Sequence, residues 1–114
     1  SPPPSERTAV DPNALEGLRA FGGDALLQQL VVLFRDQVAI RTAAINAGVV
    51  AGDTEAVRQA AHALKASAGQ VGAVGMQALC GELEREAANK DIAPLRSLAA
   101  ELAAITPAVD AWLT

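Results

Sequence analysis

The chain has 114 residues, 51% of them apolar, with 13 acidic and 9 basic side chains, one tryptophan, two phenylalanines and no tyrosine. That length suits one compact domain; 26 alanines and 13 leucines against 14 valines and isoleucines point to an all-α fold, and no run approaches the roughly 18 apolar residues of a membrane span. A net charge of −4 argues against nucleic acid, which needs clustered cations and exposed aromatics, and one cysteine with one histidine exclude an internal disulfide and a Cys/His zinc site.

Residues 1–10 contain three consecutive prolines and no apolar periodicity, so they read as an extended or disordered lead-in, of the kind that ends an interdomain linker. The folded domain then spans residues 11–114. Asp11-Pro12 is a helix start, with Asp as N-cap and Pro at the first helical position; Leu15 and Leu18 give a short apolar stripe ending at Gly22-Gly23. From Asp24 the apolar positions Leu27, Leu30, Val31, Phe34, Val38, Ile45 and Val49 recur at three- and four-residue steps until Gly48 and Gly52 break the pattern. Asp53 starts a third helix with a stripe of Val57, Ala60, Ala61, Leu64, Ala68 and Val71, ending near Gly72. Gly75 opens a fourth, whose stripe of Met76, Leu79, Cys80, Leu83 and Ala87 makes Cys80 a small core residue. Asp91 caps a fifth, with Leu95, Leu98, Leu102, Ile105, Val109 and Trp112 at bundle-seam spacing, where Pro107 predicts a kink or a fresh start capped by Thr106. Short connections favour antiparallel neighbours, so the expected architecture is an antiparallel four-helix bundle with an additional short N-terminal helix.

The one histidine, His62, falls on the third of these helices. On a wheel of about 100° per residue it points roughly 140° away from the stripe of Val57, Ala61, Leu64 and Ala68, toward solvent. Glu55, Arg58, Ala66 and Gly69 share that outward arc, with Lys65 at its boundary. A helical glycine costs about 0.5–1 kcal/mol relative to alanine, so Gly69 has another purpose: it clears space over the imidazole or lets another helix pack closely. Lys65 and Arg58 either offer positive charge to an anion on the ring or are ordinary solubilising charges.

The run His62-Ala63-Leu64-Lys65-Ala66-Ser67-Ala68-Gly69-Gln70-Val71-Gly72-Ala73 resembles the histidine-containing phosphotransfer (HPt) domains of two-component phosphorelays. Their pattern is His-x-Leu-Lys-Gly-Ser, a small residue, a Gly-Ala pair, and a following helix with Leu and a Leu-Glu step, matched here by Leu79, Cys80, Leu83 and Glu84. Gly22 to Asp24, Phe34 and Ala51-Gly52-Asp53 extend the resemblance across about residues 11 to 113. Ala66 departs from the pattern, standing where the family usually has glycine and adding a methyl group to the outward face. The second histidine common in the chemotaxis-kinase relatives is missing from the following helix, which favours the relay type.

The resemblance implies a phosphocarrier. An imidazole nitrogen of His62, expected to be Nε2, takes a phosphoryl group from the aspartate of a response-regulator receiver domain and later yields it to another. An ordinary histidine, titrating near about 6.5, is largely neutral and nucleophilic at pH 7, so no general base is required. Lys65 would steady the phosphoryl oxygens; Arg58, Gln59, Ala63, Ala66, Gly69 and Gln70 would meet the partner. The domain itself is expected to bind no cofactor or metal, Mg2+ belonging to the receiver. It has no nucleotide loop and is expected not to be an enzyme but a phosphotransfer intermediate, monomeric and cytoplasmic, within or beside a hybrid sensor histidine kinase that is itself compatible with a membrane anchor. The competing readings are a protein-interaction bundle with a spent motif and a sensor-kinase dimerisation domain. Against the second, four long helices close a bundle without a partner, and Ala63-Leu64-Lys65 stand where that family has an acidic residue and a proline.

Overall fold

A computed structural model describes residues 7–113; the remaining residues of the lead-in, 1–6, and Thr114 lie outside the described part. Among the described residues there are four main helices and no strand: α1 (Pro12–Ala51), α2 (Thr54–Val71), α3 (Val74–Ala88) and α4 (Ile92–Leu113). Asp11 caps α1 by accepting from the Asn13 N–H at 3.0 Å, and Asp53 caps α2 by accepting from the Ala56 N–H at 3.1 Å, each satisfying an end donor that has no partner within its helix. Gly52 and Gly72 end those helices in the left-handed conformation. At α4, Asp91 accepts from the Ala93 N–H at 3.2 Å.

Helix α1 is kinked at Gly23, whose φ 78° and ψ −176° are non-helical, so the backbone breaks where the sequence expects the short first helix to end. Two other boundaries differ from the sequence expectation. Gly48 does not interrupt the helix. It is buried at the crossing with α2, where an added Cβ would lie 2.7 Å from Val57 Cγ2, so the absent side chain serves helix approach. Pro107 sits inside α4, which continues past it. Thr106 is no cap there, because its hydroxyl donates to the Leu102 carbonyl at 2.8 Å, a bond made within a helix.

Each helix packs chiefly on two others, α1 on α2 and α4, and α3 on α2 and α4. Ile45, Leu64, Met76, Leu79, Leu83, Leu95 and Leu102 are fully buried between them, drawn from all four helices. Full burial of such a side chain is worth about 1.5–3 kcal/mol. By length and composition α4 is apolar enough to cross a membrane, but here its Leu95, Ala99, Leu102, Ile105 and Val109 complete the core. The described end of the lead-in is also packed. Arg7 is buried, the Ala9 carbonyl accepts from the Gly75 N–H at 2.9 Å, and the Asp11 N–H donates to the Gly72 carbonyl at 2.8 Å.

Candidate functional site

Helix α2 buries Val57, Ala60, Ala61, Leu64, Ala68 and Val71, which turns His62 outward with its side chain 64% exposed. The neighbouring helix supplies its partner. Glu84 of α3 reaches across so that Oε2 lies 3.0 Å from His62 Nδ1 and Oε1 lies 2.6 Å from Lys65 Nζ. One carboxylate, 18% exposed, thus holds both His62 and Lys65. Lys65 first, and the His62 hydrogen bond after it, hold the Glu84 carboxyl below its ordinary range against the opposing effect of burial.

This geometry assigns the protons of the ring. An ionised carboxylate has only acceptors, so His62 Nδ1 must carry the hydrogen it shares with Glu84. In the neutral ring the lone pair then belongs to Nε2. A nucleophilic nitrogen on an exposed ring, with an anion behind it and an ammonium one turn along the helix, is equipped to accept a phosphoryl group. Among the described residues no group of three or more His, Cys, Asp and Glu is placed to hold a metal ion.

The other predicted site residues divide into those beside the ring and those already engaged. Arg58 is paired with Glu55, Nε to Oε2 at 2.9 Å and Nη2 to Oε1 at 2.6 Å, and the pair draws the Glu55 carboxyl down and the guanidinium up. Gln59 also donates to Glu55 at 3.3 Å. Much of the positive field expected from Arg58 is therefore offset locally. Ala66 and Gln70 are exposed, and Ala63 is half-buried. At Gly69 an added Cβ would meet Gln77 Nε2 at 2.6 Å, so the space its missing side chain leaves is occupied from α3, the close-packing use of that glycine. Cys80 is buried among the core residues, and burial pushes its thiol up to about 12.

Two contributors escaped the sequence reading. Glu84 was visible as part of a Leu-Glu step but had no role, because the register of α3 against α2 is a tertiary property. Helix α1 also borders α2 at Gln70, one of the predicted docking residues. Leu33, exposed like Val32 and Ile40, lines a shallow groove with Leu30, Gln37, Ser67 and Gln70. Three- and four-residue steps put Leu33 beside the buried stripe of α1, where apolarity alone does not separate a core residue from an exposed one.

Comparison with known proteins identifies the family and the fold. Residues 29–112 match the family model of the Hpt domain. The fold is similar to the crystal structure of histidine-containing phosphotransfer protein B (HptB) from Pseudomonas aeruginosa PAO1, with a TM-score of 0.86 and 24% identity over 91% of this chain and 90% of that one. Comparison with curated proteins found no match.

Proposed function

Because the chain belongs to the Hpt domain family, it is a phosphocarrier of a phosphorelay, and we propose that His62 is the side chain that carries the phosphoryl group. The observation supporting this is the shared Glu84 carboxylate, which binds Nδ1 and leaves Nε2 as the nucleophile. In this reading Nε2 attacks the phosphorus of a receiver's aspartyl phosphate in line. The N–P bond forms as the acyl O–P bond breaks, and the aspartate leaves as a carboxylate. Positive charge that grows on the imidazole is met at Nδ1–H by Glu84, and Lys65 turns toward the phosphoryl oxygens. The reverse sequence hands the group to a second receiver aspartate. No general base is needed, since the neutral ring has no proton on Nε2.

The partner's aspartate must approach Nε2 from solvent, so the receiver surface around that aspartate is the part that meets Ala63, Ala66 and Gln70 on α2 and, beyond Gln70, the exposed edge of α1 at Leu33. Arg58, Gln59 and Gly69 stand at the margin of this face. The methyl group of Ala66 narrows the approach relative to the glycine usual in the family. We read the architecture as an antiparallel bundle to which Pro12–Gly22 adds a short N-terminal arm. In the same reading the domain works as a monomer in the cytoplasm, binds no cofactor itself, relies on Mg2+ held by the receiver, and is regenerated at every transfer, which makes it an intermediate and not an enzyme.

The decisive experiment incubates the wild type and His62→Gln with receiver domains labelled on the phosphoryl group. Label passes to the wild type and not to His62→Gln. Wild type left unlabelled by several receivers would overturn the carrier reading.

A further inference from the structure

Arg7 lies in the lead-in, outside the family match at residues 29–112, yet its side chain is only 6% exposed. Both terminal nitrogens of its guanidinium bind the carboxylate of Glu82 on α3, and Nη2 also lies 3.5 Å from Glu101 on α4. A buried cation sharing two carboxylates is a costly arrangement unless both remain paired. What Glu82 faces next gives the arrangement a consequence for the site. Glu82 lines one shallow groove together with Lys65, Gly81 and Arg85. The Lys65 stem crosses Gly81, the residue before Glu82, with Cδ 3.8 Å from where a Gly81 Cβ would be.

Resting on the phosphocarrier reading, we infer that Arg7 is a positioning residue for Lys65: by occupying Glu82 it leaves the Lys65 ammonium to Glu84 and to the phosphoryl group on His62. The competition is between two carboxylates of one helix. Glu84 lies on the His62 side of Lys65 and Glu82 on the groove side. With Arg7 in place the groove-side carboxylate is neutralised. Without it, Glu82 is an unpaired anion on the groove that Lys65 and Arg85 also line, and it draws Lys65 away from the ring. The backbone contacts from Ala9 to Gly75 and from Asp11 to Gly72 fix the lead-in against the α2–α3 turn, so Arg7 is delivered by the chain that precedes the domain. Movement of that chain would change the charge beside Lys65 without touching His62.

The test uses the full chain with Arg7→Ala, Arg7→Lys and Arg7→Ala/Glu82→Gln. The Lys65 ammonium is followed by NMR, and phosphoryl transfer from a labelled receiver is followed in parallel. In Arg7→Ala the Lys65 signal shifts and transfer slows about two- to fivefold, the range of a competing exposed ion pair. Removing the Glu82 charge restores both, and Arg7→Lys retains most of both. A purely structural Arg7 gives the opposite pattern: Lys65 is unchanged in the folded fraction, or Glu82→Gln fails to restore it, and either result overturns the inference. Absence of transfer in the wild type defeats the carrier reading alone, because the Lys65 signal still decides the role of Arg7. Circular dichroism of each variant establishes the folded fraction to which the signals refer.

Discussion

Removing the Glu84 carboxylate should slow transfer while leaving the imidazole in place. The hydrogen bond to Nδ1 is 3.0 Å long, from a ring 64% exposed to a carboxylate 18% exposed. A hydrogen bond to a charged group contributes about 1.5–3 kcal/mol when well buried; the solvent around this ring puts it at the low end, near 1.5 kcal/mol. Since about 1.4 kcal/mol is tenfold in rate, Glu84→Ala should transfer roughly tenfold more slowly, provided the bond strengthens as charge builds on the ring. Glu84→Gln keeps an acceptor oxygen without the charge. Neutral hydrogen bonds are about half as strong as charge-assisted ones, so it should lose roughly three- to fivefold. Transfer from a phosphorylated receiver gives the rates, and nitrogen NMR of the imidazole reports which ring nitrogen carries the proton. A Glu84→Ala protein that transfers at the wild-type rate with its proton still on Nδ1 would refute the assignment of Glu84.

Two further outcomes follow from the same structure. The Glu84 carboxyl is held below the ordinary glutamate range, first by Lys65, so its ion pair stabilises the folded state fully above the unfolded value of about 4.3 and is lost as the pH falls through the lower folded value. Urea unfolding of wild type and Glu84→Gln should therefore differ at neutral pH and converge in acid, and a gap that widens on acidification would contradict the sign. Gly52 and Gly72 share positive φ, 70° and 83°, but an added Cβ is unobstructed at Gly52 and meets Ala14 Cβ at 2.6 Å and the Asp11 carbonyl at 2.8 Å at Gly72. Gly52→Ala should cost about 1–2 kcal/mol of backbone strain and Gly72→Ala about 1–3 kcal/mol more from overpacking; equal midpoint shifts in urea would contradict the packing of the start of α1 on that turn.

The pattern of apolar positions was enough to place α2, α3 and α4 and to turn His62 outward, because a helix repeats every 3.6 residues wherever it lies in a fold. It was also enough to put Cys80 in the core. Its difficulties arose where a glycine has more than one use. Gly23 interrupts the helical backbone of α1, whereas Gly48 lies within the helix and admits Val57, and Gly69 admits Gln77. Periodicity records that a side chain is missing and says nothing of which neighbour takes its place.

By itself, then, the sequence determined an all-α chain, its helix starts, its buried stripes and a single outward histidine followed by Lys65, all consequences of local periodicity and capping. Tertiary structure alone decided that Glu84 joins His62 to Lys65 and that Arg7 of the lead-in is buried against Glu82. The Glu55–Arg58 pair is different, because its three-residue spacing is itself a helical signal. Contacts between residues 22 or 75 positions apart depend on how one helix is registered against another, and side-chain packing across the core sets that register.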